Sequence, residues 1–344
     1  MRAVVARAGA VGVEEVDEPA LGQGQVLVAP LACGICGSDL HLVASQATMP
    51  DLIPPIVLGH EFVGEVLEYG TETDRRLAPG SIVTSMPYLD LAEGPQVVGV
   101  GLSPSASGGL AERMVLQESR LLRVPEAVQA EHAALVEPLA VGVHAVGAAD
   151  MRPGDVALVM GCGPVGLAVI CALKATGHGP VVAADLSPGR RTLAEKIGAD
   201  AVVDPADTSP YATWADLSGP TLPLSPLLDA PMRPNTVVFE CVGVPGMLDA
   251  VINSALPHTR IVVVGVCNGP DTISPVAGIV KELSMRFVFA YRPDEFAQAL
   301  QWITEGTVDV ATIVTAIWQL DLVAEAFTQL RHPEQHGKIL LTPG

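Results

Sequence analysis

Residues 156–185 read Val156-Ala157-Leu158-Val159-Met160, then Gly161-Cys162-Gly163-Pro164-Val165-Gly166, an apolar run to Leu173, and Val181-Val182-Ala183-Ala184-Asp185. Five apolar residues, a G-x-G-x-x-G and a longer apolar run predict a buried strand, a tight glycine turn and a buried helix over Val165 to Thr176. Glycines at that spacing turn the chain sharply, let backbone N–H groups approach a pyrophosphate and let the helix pack on the strand. Asp185 stands nineteen residues after Gly166, at the end of the next apolar strand. A carboxylate there accepts hydrogen bonds from a ribose diol and repels a 2′-phosphate, which favours NAD over NADP. Gly161, Gly163, Pro164, Val165, Gly166 and Asp185 are therefore candidate cofactor contacts. Arg190 is another, since it or Arg191 can meet a 2′-phosphate; an exposed arginine at a helix start is the plainer role. The eighteen uncharged residues from Val156 to Leu173 would be long enough to cross a bilayer, but the glycines and proline in their middle speak for strand, turn and helix.

The alternation continues outward: helix Gly189 to Ile197, strand Ala201 to Val203, strand Thr236 to Glu240, helix Gly246 to Leu256 and strand Ile261 to Val266. Strand and helix in turn imply a doubly wound parallel sheet. Before Asp150 the rhythm differs. Short apolar runs at Gln25 to Ala32, Phe62 to Tyr69 and Leu110 to Gln117, separated by Gly and Pro, predict a mostly β domain. Beyond Phe287 the chain reads as helix Pro293 to Glu305, helix Asp321 to Leu330 and a strand at Lys338 to Leu341. The fold class is thus α/β, with residues 1–148 and 288–344 as one domain and 149–287 as the other. Pro205 to Pro234 holds seven prolines in 30 residues and is expected to be a surface insertion without a long regular element.

At 344 residues with 49% hydrophobic and 17% charged residues, the chain has the mass for two cores. A net charge of −19 repels phosphate backbones and anionic headgroups, so neither nucleic acid nor a membrane is expected as partner. Six cysteines, too few for a disulfide framework, and no secretory signal point to a reducing, cytoplasmic home.

Cys33-Gly34-Ile35-Cys36-Gly37-Ser38-Asp39-Leu40-His41 and Gly59-His60-Glu61-Phe62-Val63-Gly64 concentrate thiol, imidazole and carboxylate in the β domain. Zinc takes such donors, and a catalytic zinc keeps one position open. One C-x-x-C without a second pair cannot make a four-cysteine site, so a mixed site is implied. Taken singly, each residue has an ordinary role: Cys36 as a small buried hydrophobe, His60 as a core histidine, Glu61 as an arginine's partner.

Together these segments resemble the zinc-dependent medium-chain alcohol and polyol dehydrogenases, of the sorbitol and butanediol dehydrogenase type. Cys36-Gly37-Ser38-Asp39 and Gly59-His60-Glu61 are similar to that family's first two zinc-ligand segments, and Glu137-Pro138-Leu139-Ala140-Val141-Gly142 to its third. The likeness runs in order through the glycine loop, Asp185, Cys241-Val242-Gly243 and Lys338-Ile339-Leu340-Leu341. It implies a GroES-like catalytic domain beside a Rossmann domain. One catalytic zinc and NAD would serve the oxidation of a secondary alcohol or polyol to a ketone or aldehyde. Cys36 and His60 would ligate zinc; of Glu61 and Glu137, one would bind the metal and the other hold the water of the site. Asp39 would orient the ligand histidine. Ser38 would hold the substrate oxygen and start a proton relay, which His41 would continue unless it is simply an exposed helix histidine. Val242, Val264 and Lys338 would touch the cofactor, Lys338 at its pyrophosphate. Such enzymes are homo-oligomers, dimers or tetramers. Two departures stand out: the stretch from Gly80 to Gly109 lacks the cysteines of the family's structural zinc, and Val63 replaces a more usual Glu or Leu. Cys33, Cys162, Cys171, Cys241 and Cys267 are expected to be small apolar fillers. Tyr88, Phe289 and Tyr291 are possible pocket walls. A zinc-free quinone or enoyl reductase of the same fold and a non-enzymatic NAD-binding protein are the alternatives.

Overall fold

The computed structural model describes the chain apart from residues 91–96, 220–234, 332–335 and 344. Six strands form a parallel sheet in the spatial order Ala201–Val203, Val181–Ala184, Val156–Met160, Thr236–Glu240, Arg260–Val263 and Ser284–Phe287. Val156–Met160 pairs in register with Val181–Ala184 on one side and Thr236–Glu240 on the other. The order reverses at that central strand, so the turns at its carboxyl end open a crevice suited to a ligand. Every residue of Val156–Met160 and of Thr236–Glu240 is buried, as strands covered on both faces must be.

The second large sheet is mixed, in the order Leu121–Arg123, Ile82–Ser85, Glu61–Tyr69, Gln25–Gly34, Lys338–Thr342 and Val314–Gln319, with Met114–Gln117 also on Gln25–Gly34. Gln25–Gly34 alternates half-buried and buried residues along its first eight positions, the period of a strand with one face inward. Its end pairs with two distant segments: Gly34 lies opposite both Glu61 and Leu340. Gly34 has to be glycine, because a Cβ there would stand 2.1 Å from Glu61 Oε2. The helix Val136–Ala148 packs on Pro164–Ala175 and Pro293–Glu305 and also touches the strand Glu61–Tyr69 of the mixed sheet. Gly142 permits the first contact; an added Cβ would lie 2.4 Å from the Ala168 carbonyl oxygen.

Three elements depart from the sequence expectation. Within the proline-rich stretch, Pro210–Leu217 is helical, since Pro210 takes the first helical position where a missing N–H costs nothing. That helix is tied down by Trp214, fully buried, whose Nε1 donates to the Val156 carbonyl at 2.9 Å. Residues 220–234 of the stretch lie outside the described residues. The strands Ser284–Phe287 and Val314–Gln319, for which no strand was expected, complete the edges of the two sheets.

Candidate metal and cofactor site

Cys36 caps the helix Gly37–Thr48, and the fully buried Asp39 in its first turn accepts the Cys36 N–H at 2.9 Å. The other Asp39 oxygen, Oδ1, faces His60 Nδ1 at 3.6 Å, and neither atom has another partner. Imidazole Nε2 points the opposite way, 3.2 Å from Ser38 Oγ. Ligand atoms of Cys36, His60 and Glu61 lie within 4.8 Å of one another, the one such group among the described residues. Burial alone would lower the His60 pKa, yet the charges of Asp39 and Cys36 hold it well above the ordinary imidazole range. Thiol and carboxylates this close thus draw positive charge to their centre. The donor set suits zinc in both softness and number, with room for a further ligand.

Glu137, in the first turn of Val136–Ala148, approaches the same cluster without being one of its three members. Burial, with help from Glu61, pushes its carboxyl up to about 7 against the opposing influence of His60, Tyr291 and Lys338. Tyr291 donates its hydroxyl to Glu137 Oε1 at 3.0 Å and stacks on Phe296. Burial raises the Tyr88 phenol, and Glu137 adds to that rise. Phe289, by contrast, is 86% exposed, and His41 is exposed on its helix.

The Lys338 ammonium is buried among Glu61 Oε1 (2.7 Å), Glu61 Oε2 (2.6 Å) and the Ile35 carbonyl (3.1 Å), so all three donors are engaged inside the metal corner. The cause is strand pairing: Lys338–Thr342 runs beside Gln25–Gly34, whose other neighbour carries Glu61.

At the carboxyl edge of the parallel sheet, Gly161 has φ +91, and a Cβ on Gly166 would stand 1.9 Å from the Gly161 carbonyl oxygen. Gly163 caps the helix Pro164–Ala175, and a Cβ there would meet only the Arg190 guanidinium, at 3.7 Å or more. The loop therefore leaves open backbone at a helix N-terminus, a cradle for phosphate. A cavity of about 460 Å³ adjoins it, lined by Gly161, Gly163, Asp185, Arg190, Val242 and Met247 among others. Asp185 Oδ2 accepts the Cys162 N–H and Oδ1 the Ser187 N–H, both at 2.8 Å. The two arginines part company: Arg190 lies over Gly163 with Nη1 4.0 Å from Asp185, whereas Arg191 binds the Asp185 and Leu186 carbonyls and Asp204. Val264 is buried just past the strand Arg260–Val263. The thiols of Cys162 and Cys171 are pushed to about 12 by burial, the state of inert filler; Cys267 is only half-buried.

Comparison with known proteins agrees with this geometry. Residues 22–126 match the alcohol dehydrogenase GroES-like domain and residues 164–305 the zinc-binding dehydrogenase domain. The chain is 33% identical over 350 residues to the (R,R)-butanediol dehydrogenase of Bacillus subtilis, covering 96% of each. This chain belongs to the zinc-type medium-chain alcohol and polyol dehydrogenases. The sorbitol dehydrogenase of Ovis aries is 31% identical over 94% of this chain and 91% of its own. The crystal structure of the Bacillus subtilis 2R,3R-butanediol dehydrogenase superposes with a TM-score of 0.83 at 32% identity, covering 100% of this chain and 99% of that one. This dehydrogenase is an oxidoreductase of CH–OH groups using a nicotinamide cofactor, with the GroES-like and parallel-sheet domains of its family. No helix among the described residues is long and apolar enough to cross a membrane.

Three contacts at the dehydrogenase site were not foreseen from the sequence, although Tyr291 and Lys338 were named there in other roles. Tyr291 donates a hydrogen bond to Glu137; Gly34 makes room for Glu61; Lys338 neutralises Glu61. All three act across sheet pairings or helix packing, and no local spacing announces them.

Proposed function

We propose that this dehydrogenase oxidises a small secondary alcohol or polyol to a ketone or aldehyde with NAD, using one zinc held by Cys36, His60 and a carboxylate. The observation that carries this is the Cys36, His60 and Glu61 cluster with Ser38 beside it, 3.2 Å from His60. When bound, zinc supplies Lewis acidity that makes a hydroxyl easier to deprotonate, and NAD accepts the hydride. Ser38 Oγ accepts the proton of the substrate hydroxyl and passes it outward, with the exposed His41 as the next acceptor. Asp39 fixes the His60 ring so that Nε2 faces the cluster. Glu61 is the nearest third donor, and Lys338 shares its charge. Glu137, held by Tyr291, is placed to orient a water or a second substrate hydroxyl. Asp185 favours NAD by offering its carboxylate to a ribose diol, and the neighbouring Arg190 leaves some tolerance for NADP.

We further assign residues 1–148 and 288–344 to a zinc-binding catalytic domain and 149–287 to the NAD-binding domain. The six unpaired cysteines support a reducing cytoplasm as its compartment. A homo-oligomer is supported by the strand Ser284–Phe287, paired on one side only among the described residues, with Phe287 68% exposed on it. Metal analysis together with an alcohol panel followed by NADH absorbance tests the function. About one zinc per chain and NAD-linked oxidation of diols or polyols are expected. Metal-free protein that reduces quinones or enoyl compounds instead, or protein inert to the whole panel, would sink this function.

A further inference from the structure

The hydride chemistry leaves one buried carboxylate at the cofactor edge without a task. Glu240 ends the strand Thr236–Glu240 and is 1% exposed. Its Oε1 accepts the backbone N–H of Val242 at 2.6 Å and of Gly243 at 2.9 Å. Its own carbonyl accepts the N–H of Val264 at 2.9 Å and of Gly265 at 2.8 Å, on the turn leaving the neighbouring strand. The two turns touch so closely that a Cβ on Gly265 would stand 2.4 Å from the Gly243 nitrogen, and Gly243 itself has φ +67. Val242 in turn presses on the glycine loop, its Cγ2 2.9 Å from where a Gly161 Cβ would lie, and it lines the nucleotide cavity. Glu240 therefore fastens the 242–243 turn through its side chain and the 264–265 turn through its main-chain carbonyl, and the first of these turns packs on the glycine loop. Burying a carboxylate is unfavourable unless its hydrogen bonds compensate it. A turn that merely had to close would not need one.

Resting on the NAD-dependent function above, we propose that Glu240 is a positioning residue for the dinucleotide. It never touches the cofactor, but its side-chain oxygen holds the 242–243 turn, which lies against the 264–266 turn, at the height that the bound nicotinamide nucleotide requires. The oxygen's reach is what matters, since the two N–H groups need one acceptor in one place. NADH binding to the purified holoenzyme, followed by nucleotide fluorescence, tests this alongside KM for NAD and kcat. Glu240→Asp keeps the charge and shortens the arm; its Kd for NADH is expected to rise about tenfold or more, the scale of one lost buried hydrogen bond. KM for NAD should rise in parallel while kcat at saturating NAD stays within about threefold. Glu240→Gln keeps an oxygen at full reach and should bind NADH within about threefold of wild type. An Asp variant within about twofold of wild type, or a Gln variant as weak as the Asp one, overturns the proposal. Should the Asp variant not fold, the Gln variant decides alone: a tenfold loss overturns the role, retention supports it. Wild-type protein that binds no NADH would overturn the NAD-dependent function as well, whereas wild-type binding with an indifferent Asp variant removes only the role of Glu240.

Discussion

At the metal corner the decisive contacts join charged side chains from far apart in the chain: Glu61 meets Lys338 across 277 residues, and both are 1% exposed. At the nucleotide edge the decisive contacts are backbone, drawn from neighbouring turns and made possible by missing side chains, as where Gly166 lies against the Gly161 carbonyl. The first corner is built from opposed charges taken out of water, so it fails when one charge loses its partner. The second is built from close approach, so it tolerates changes of polarity and fails when carbon is added. If both corners serve as proposed, loss of the metal should leave cofactor binding in place, and the reverse.

The sharpest way to break this contrast is Cys36→Ser. Removing the thiolate should abolish zinc retention and cut kcat/KM by about 10³-fold or more, because Lewis-acid stabilisation contributes several kcal/mol. NADH binding, measured in the same preparation, should stay within about threefold; its collapse would show that the two corners are one cooperative unit. Next in size is Lys338→Met, which strands the Glu61 carboxylate. Breaking a buried pair from one side costs about 3–5 kcal/mol, to be read from the urea midpoint, and a stability unchanged by the substitution would mean the pair is not formed. Gly166→Ala forces a Cβ into the Gly161 carbonyl and should cost about 1–3 kcal/mol while weakening NADH binding and leaving zinc in place. Zinc loss in that variant would contradict the division drawn above. The smallest effect is expected for Asp185→Ala, where the ratio of kcat/KM for NADP over NAD should rise about tenfold. No change in that ratio would remove Asp185 from ribose recognition.

The same contrast explains what could be read from the sequence. The glycine loop, its helix and Asp185 were legible because each is local: strand, turn and helix follow one another within thirty residues, and each glycine answers to a neighbour. The grouping of Cys36, His60 and Glu61 was legible only as an ensemble, since any one of them alone fits an ordinary core. The partner of Lys338 was not legible at all. Its neighbours are fixed by which strands pair in the mixed sheet, and the sequence of Lys338–Thr342 is apolar enough to suit many registers. Val314–Gln319 was missed for a related reason: it sits at a sheet edge with mostly half-buried residues and so shows no clean alternation. The helix Pro210–Leu217 was hidden by proline count, which matters less than proline position.

The placement of Lys338–Thr342 between Gln25–Gly34 and Val314–Gln319 also bears on how the protein is born. On the ribosome, the segments bearing Cys36, His60 and Glu61 emerge early and must wait for a middle strand made last. At about 5–20 residues per second, the 277 residues that separate Glu61 from Lys338 correspond to roughly 14 to 55 s. During that interval the intervening parallel sheet, whose six strands all lie between residues 156 and 287, can close by itself. Until the strand Lys338–Thr342 is in place the Glu61 carboxylate, 1% exposed in the finished fold, has no ammonium to share its charge.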